Sequence, residues 1–228
     1  MCGIYCSNIR TSDYKKINGY IKYRGPDHTE RLDYRGYTFI HHLLHITGEK
    51  CIQPFHKNDV ICLYNGQIYN YKSFGDYKSD GECLIDLYQE YGDEFVKKLD
   101  GEFAIILFDF KKGLILISSD VFKTKPIFYS IDSGRFGCAT FKAPLVLTGH
   151  KQVQSLEANT TKVFNLKTLE PVKQYRVYEF SLRQHKTSFD DWVHAFKDSL
   201  KKRTANLREK LFIGLSGGYD SGAFVASC

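Results

Sequence analysis

The chain has 228 residues, 43% apolar, 25% charged and 15% aromatic, with a formal net charge of +6. This composition excludes a disordered or fibrous chain and allows one sizeable domain with part of another. No run reaches the roughly 18 apolar residues that span a bilayer, no leader is expected, and the seven cysteines form no C-x-x-C pair, so reduced thiols of a cytoplasmic protein are expected rather than disulfides or a metal site.

Cys2 to Ser7 reads as a short strand. Ser12 can cap a helix from Asp13 to about Tyr23, with Ile17, Tyr20 and Ile21 on one face. Arg24-Gly25-Pro26-Asp27 breaks it as a turn. Strands are predicted near His28–Tyr34, Tyr37–Leu44 and Val60–Tyr64, and Asn65-Gly66 reads as a tight turn. Ser79-Asp80-Gly81-Glu82 fits a capping box, and Leu84, Leu87, Tyr88 and Tyr91 follow on one helical face that Gly92 ends. A short helix is predicted at Glu94–Leu99, packing Phe95 and Leu99. Phe103–Phe110, Leu114–Ser119, Ile127–Ile131 and Arg135–Ala139 read as antiparallel meanders, with further strands at Lys162–Asn165 and Val172–Tyr178.

Residues 179–190 read as a linker, and a helix from about Ser188 to Ala205 carries Trp192, Phe196 and Leu200. Lys197, Lys201, Lys202, Arg203, Arg208 and Lys210 carry much of the positive charge. Without an aromatic-rich motif beside them they read as a solvated helix face, not a nucleic-acid patch. An apolar strand, Leu211–Leu215, then leads into Ser216-Gly217-Gly218-Tyr219-Asp220-Ser221 and a helix start.

Four features carry chemistry. If Met1 is removed, Cys2 bears a thiol and a free α-amine, a nucleophile with its own base. The other reading of Cys2 is a small apolar residue of a buried strand. Asn65-Gly66 is a hairpin turn or a pair of donors for a developing oxyanion. Asp80 can hold a substrate ammonium, or occupy a helix first turn for its dipole, or both. Ser216–Ser221 has the form of a phosphate loop, with Gly217 and Gly218 admitting the anion, Ser216 and Ser221 as hydroxyl donors and Asp220 toward Mg²⁺. Its alternative is a tight strand-to-helix turn without ligand.

Met1-Cys2-Gly3-Ile4, Arg24-Gly25-Pro26-Asp27, Gln53-Pro54, Asn65-Gly66-Gln67-Ile68-Tyr69-Asn70, Ser79-Asp80, Gly101-Glu102-Phe103-Ala104 and Leu215-Ser216-Gly217-Gly218 stand in order along the whole chain. In order and spacing they resemble the class II glutamine amidotransferases, and most of all the glutamine-hydrolysing asparagine synthetases. The resemblance implies an α+β fold, the αββα sandwich of two antiparallel sheets of N-terminal nucleophile hydrolases. It implies a glutaminase domain over 2–178, a linker over 179–190, and over 191–228 the first strand and phosphate loop of an incomplete ATP pyrophosphatase domain. Cys2 is then the nucleophile that converts glutamine to glutamate and ammonia through a thioester. Asn65 and Gly66 fall at the oxyanion hole, Asp80 and Gln67 at the substrate amine, Arg24 and Asp27 in a loop behind the nucleophile, and Leu43, Leu44, His45, Ile46 and Thr47 on the glutamine-binding segment. Leu215, Ser216, Gly217, Gly218, Asp220 and Ser221 match the ATP site of the synthetase half, where ammonia attacks an activated aspartate carboxylate. ATP and Mg²⁺ belong to that half alone, and the glutaminase needs no cofactor.

Several positions depart from the family pattern. Leu43 occupies the place of the arginine that clamps the glutamine carboxylate, a loss worth about 1.5–3 kcal/mol, or roughly 10- to 150-fold in affinity. His41, His42 and His45 are the nearby candidates to compensate. Gln67 replaces an acid, Ser119-Asp120-Val121-Phe122-Lys123 stands where the family has Arg-Asp-x-x-Gly, and Ala139-Thr140-Phe141 where it has Ala-Ser-Glu. The partial nucleotide-binding segment reads as a truncated chain or half of a split protein, whose partner would carry the rest of the synthetase. A homodimer is compatible with the sequence, and no nucleic acid or membrane is expected. Two other functions fit parts of the pattern: a binding module that kept the fold without the reaction, and a nucleotide-binding regulator built on Ser216–Ser221.

Overall fold

The computed structural model describes residues 1–11, 13–204 and 210–227. The expected cap Ser12, the helix end at Ala205, Arg208 of the basic cluster and Cys228 lie outside them. The chain divides into two units, Met1–His45 with Glu49–Glu179, and Ile46–Gly48 with Phe180–Cys228.

The first unit is built on two six-stranded sheets in which every described pairing is antiparallel. One contains β1 (Gly3–Ser7), β2 (His28–Tyr34), β3 (Tyr37–Leu43), β8 (Phe128–Asp132), β9 (Arg135–Ala139) and β10 (Gln154–Ser155), in the order β10-β8-β9-β1-β3-β2. The other contains β4 (Phe55–Lys57), β5 (Val60–Ile68), β6 (Gly101–Asp109), β7 (Leu114–Ser119), β11 (Thr160–Asn165) and β12 (Pro171–Arg176), in the order β12-β11-β7-β6-β5-β4.

Side-chain alternation builds the layers. Ile4, Cys6 and Phe39 face Ile61, Leu63, Ile106, Phe108 and Ile117 between the sheets. The intervening residues of the same strands face outward. Val60, Cys62, Tyr64, Ile105 and Leu107 pack on Leu84, Leu87 and Tyr88 of α2 (Cys83–Tyr91). Tyr5, Ile40 and Ala139 pack on Ile17 and Ile21 of α1 (Tyr14–Ile21) and Leu145 of α3 (Lys142–Leu147). The result is the expected αββα sandwich. Its central strands are apolar on both faces because both faces are covered, unlike the one-sided pattern of a solvated antiparallel sheet.

Several expectations need correction. Asn65-Gly66 is not a turn: both lie inside β5, opposite Ala104 and Phe103 of β6. Sequence pairs the dipeptide with a hairpin, but here β5 runs on to Ile68 because β6 offers a continuous ladder. Gly66 is required by close approach, since a Cβ there would lie 2.8 Å from Phe103 Cα and nearer still to the Glu102 carbonyl. Tyr20 is exposed, because the buried arc of α1 is centred on Ile17 and Ile21 and Tyr20 lies on its far edge. Tyr91 is likewise exposed at the end of α2, beneath the Lys98 ammonium. The capping box at Ser79–Glu82 is present, and the Ser79 amide donates to Glu82 Oε2 at 3.1 Å.

In the second unit, α4 (Asp190–Thr204) stacks Trp192 on Phe196, and Phe196 meets Phe224 of α5 (Tyr219–Ser227) edge-on. The strand expected at Leu211–Leu215 is not formed. Leu211, Phe212, Ile213 and Leu215 are exposed, and no strand among the described residues of this unit offers a ladder to pair with.

Gly25 and Gly19 give opposite predictions. A Cβ on Gly25 would lie 2.6 Å from the Leu43 carbonyl carbon and closer to the His42 carbonyl, whereas at Gly19 nothing lies within 4 Å. Gly25→Ala should therefore destabilise by about 1–3 kcal/mol or more, and Gly19→Ala, inside α1, should stabilise by about 0.5–1 kcal/mol. Urea unfolding of the two variants checks both signs.

Candidate active site

The site forms where the ends of β1, β3 and β5 meet. β1 is a central strand paired on one side with β3 and on the other with β9, so Cys2 leads directly into a backbone held from both sides. The Ile4 amide also donates to Thr140 Oγ1 at 2.9 Å, and the Thr140 amide returns a bond to the Ile4 carbonyl. Cys2 is partly buried, and its Sγ accepts from the Leu44 amide at 3.4 Å. Burial raises the thiol above its ordinary 9.0, opposed by the Leu44 amide and the terminal amine and reinforced by the negative charge of Asp80. A thiol so placed needs a base to be deprotonated.

The Arg24–Asp27 loop lies behind Cys2. Arg24 Nε donates to the Cys2 carbonyl at 3.2 Å and its guanidinium lies over the Phe141 ring. Asp27 fastens the loop to the end of β3, donating its amide to the Leu43 carbonyl and accepting from the His45 amide at 2.7 Å. Leu43 is buried at the end of β3. His41 and His42 do not supply a charge. Burial pushes His41 down to about 3 and His42 to about 4, so both are neutral at working pH. Ile46 and Thr47 belong to the second unit.

Across the sandwich, Asn65 is 1% exposed, and neither its Oδ1 nor its Nδ2 has a hydrogen-bond partner among the described residues. A buried unpaired polar group costs about 1–3 kcal/mol. Asp80 opens the turn before α2. Its Oδ2 accepts from the Tyr64 hydroxyl at 2.7 Å and from the Ile68 amide at 2.8 Å. Desolvation nevertheless raises its pKa above 3.8. Gln67 stands opposite Glu102 in the β5–β6 ladder. Glu102 in turn accepts from Tyr69 and from the little-exposed Lys125 ammonium, each at 2.8 Å.

Cys2, Arg24, Asp27, Leu43, Leu44, His45, Asn65, Gly66, Gln67 and Asp80 thus come from one connected region of the first unit. Tyr64 and Lys125 were not singled out by sequence. Tyr64 had a signal, being the residue of β5 that alternation turns toward Asp80, whereas nothing around Lys125 announces its pairing with Glu102. One departure acquires a structural account. Lys123, where the family has glycine, adopts φ +53°, the backbone region glycine favours. Asp120 closes that turn, accepting from the Phe103, Phe122 and Thr124 amides and the Thr124 hydroxyl.

In the second unit, Leu215 is exposed and Ser216–Ser221 folds on itself before and into α5. Ser216 Oγ and Ser221 Oγ are 2.9 Å apart, and the Gly218 amide donates to Ser216 Oγ. Asp220 lies in the first turn of α5.

The two-sheet fold with a cysteine at the head of a central strand is that of an N-terminal nucleophile sandwich. Residues 1–180 match the glutamine amidotransferase domain, and the chain belongs to that family. Among curated proteins it is 27% identical to a putative glutamine-hydrolysing asparagine synthetase 2 of Methanocaldococcus jannaschii, covering 99% of this chain and 56% of that protein. It is 27% identical to the glutamine-hydrolysing asparagine synthetase of Bos taurus, covering 89% and 39%. The chain therefore spans about half or less of these relatives. The fold is shared with the glutamine phosphoribosylpyrophosphate amidotransferase of B. subtilis, TM-score 0.57 at 16% identity, covering 80% of this chain and 50% of that one.

Two predictions follow from the charges. Burial raises the folded pKa of Asp80, so its ionised form opposes folding above 3.8 and not below. Asp80→Asn should raise Tm at pH 7, with the gain shrinking as pH falls toward 3.8. Thermal melts across pH test it, and a variant less stable than the parent at pH 7 would refute it. Conversely, His41, His42 and His150 have folded values of about 3, about 4 and about 4, below their ordinary 6.5. Their contribution is complete above 6.5 and is lost as pH falls from there toward about 4, so denaturant midpoints should drop through that window.

Proposed function

We propose that this chain is the glutaminase half of an asparagine-synthetase-like amidotransferase. The observation that carries the reading is the buried, unpartnered Asn65 carboxamide in the strand facing the Cys2 end of β1. Family membership and the names of the relatives support it.

The Cys2 thiolate attacks the side-chain carboxamide carbon of glutamine. Asn65 Nδ2 and the Gly66 amide donate to the oxyanion of the tetrahedral intermediate. Its collapse expels ammonia, which leaves with a proton returned by the base, and a thioester remains. Water, deprotonated by the same base, hydrolyses the thioester to glutamate and frees the thiol. The base is the α-amine of Cys2 once Met1 is gone. In the present chain the Met1 amine is lowered from its ordinary 8.0, mainly by burial, the direction a base at this place requires. Asp80 takes the substrate ammonium, and Leu43, Leu44, His45 and Gln67 line the substrate. Arg24 and Asp27 hold the loop behind the nucleophile.

The ammonia is destined for an ATP-activated carboxylate, that of aspartate, in a synthetase half for which residues 191–228 would supply the beginning, after a linker at 179–190. Ser216, Gly217, Gly218 and Ser221 carry the amide and hydroxyl donors that suit a phosphate, and Asp220 suits Mg²⁺. Leu215 would lead into that loop. The unpaired state of the six described cysteines supports a reducing, cytoplasmic setting. A second reading, a glutamine-binding module without turnover, is favoured by buried Leu43 and the neutral His41 and His42.

Incubation with glutamine should yield glutamate. Cys2→Ala should abolish it, and Asn65→Ala should lower kcat by about 10²–10³. Intact mass should show Met1 removed. Glutamine binding by calorimetry without glutamate release would establish the second reading instead.

A further inference from the structure

Five buried polar atoms on the core-facing sides of β3, β5 and β7 have no hydrogen-bond partner among the described residues: Nδ1 and Nε2 of His41, Oδ1 and Nδ2 of Asn65, and Oγ of Ser119. None of the three residues is more than 1% exposed. All project into the layer between the sheets. His41 shares its face of β3 with Tyr37 and Phe39, Asn65 its face of β5 with Ile61 and Leu63, and Ser119 its face of β7 with Ile115 and Ile117, all residues of that core.

They also stand at one level. Ala104 of β6 pairs with Asn65 on one side and with Ser119 on the other, while His41 pairs with Ile4, two residues beyond Cys2. The Tyr64 backbone faces the His41 ring, which sets the ring against the Tyr64–Asn65 peptide across the layer. Only the small Ala104 side chain stands between Asn65 and Ser119 in the sheet. Two strand spacings separate their backbones by about 10 Å. A single water bridging two groups spans about 5.6 Å, and the two side chains occupy the remainder. Buried waters characteristically bond about three otherwise unsatisfied groups.

We propose that His41 and Ser119 hold a buried water against Asn65 and thereby decide which end of its carboxamide faces Cys2. The inference rests on the reading of Asn65 as an oxyanion donor. A carboxamide has nearly the same shape either way round, so apolar packing cannot choose its orientation. Hydrogen bonding can. The oxyanion requires the donor Nδ2, so the acceptor Oδ1 must be engaged on the opposite side. The neutral His41 ring carries one N–H, and the water relays its hydrogen bond to Oδ1 with the Ser119 hydroxyl as a third partner. His41 and Ser119 are positioning residues: they act on the reaction only through Asn65.

A crystal structure of the 228-residue chain at near-atomic resolution should show a water within hydrogen-bonding distance of the His41 ring, Asn65 Oδ1 and Ser119 Oγ. A dry interior, or Asn65 turned the other way, overturns the proposal whatever the activity. In glutaminase assays, His41→Leu should lower kcat by about 10- to 100-fold, less than loss of the donor itself, with KM within about twofold. His41→Gln, which can still hold the water, should recover most of the rate. Ser119→Ala should lose less. Unchanged kcat in His41→Leu, or a loss that His41→Gln does not relieve, counts against the proposal. If His41→Leu does not fold, Ser119→Ala and the crystal structure decide. A parent chain that never forms glutamate would defeat the glutaminase reading, and the crystal structure would still judge the water.

Discussion

The site depends on β1 being clamped from both sides. A strand with neighbours on each edge has its backbone position set by two ladders, and β1 has β3 and β9, with Thr140 adding two further bonds at Ile4. Cys2 sits one residue before this clamp. A nucleophile on a loop would need its own packing to be held in place, whereas here the register of the sheet does the work. The Arg24–Asp27 loop uses the same frame. Its bonds to Cys2, Leu43 and His45 tie the segment after α1 to the ends of β1 and β3 together.

The second sheet supplies what the first cannot. An apolar sandwich buries its polar exceptions at a cost, and Asn65, His41 and Ser119 are such exceptions at one level of the layer. Asp80 is another, its charge opposed by desolvation and held by Tyr64 and Ile68. Local rules are broken where the two sheets approach the Cys2 end, the pattern expected where stability is given up for chemistry. Glu102 with Lys125 and Tyr69 makes a satisfied polar group in the same region, so the unsatisfied ones are not simply a sign of loose packing.

How much of this was legible varied with the residue. The capping box before α2 and strands such as His28–Tyr34, Leu114–Ser119 and Arg135–Ala139 were readable because local spacing alone determines them. Asn65-Gly66 forms strand where local preference favours a turn, because the dipeptide's intrinsic preference is weaker than a continuous ladder with β6. Leu211–Leu215 departs from its pattern for the opposite reason: an apolar run becomes a strand only when another strand is there to receive it, and no described residue of its unit does so. Lys123 hides a left-handed turn that a glycine would have announced.

By itself the sequence determined the motifs, their order and the family they belong to, since these depend on residue identity and spacing along the chain. It also determined which residue types were present to act: a thiol at position 2, a carboxamide at 65, an acid at 80. Only the tertiary structure decided that Asn65 lies in a strand with its carboxamide unpaired, that burial leaves His41 and His42 neutral beside Leu43, and that Lys125 answers Glu102. Those outcomes depend on desolvation and on which backbones lie across the layer. Both are properties of contacts between distant segments, and no local window of sequence contains them.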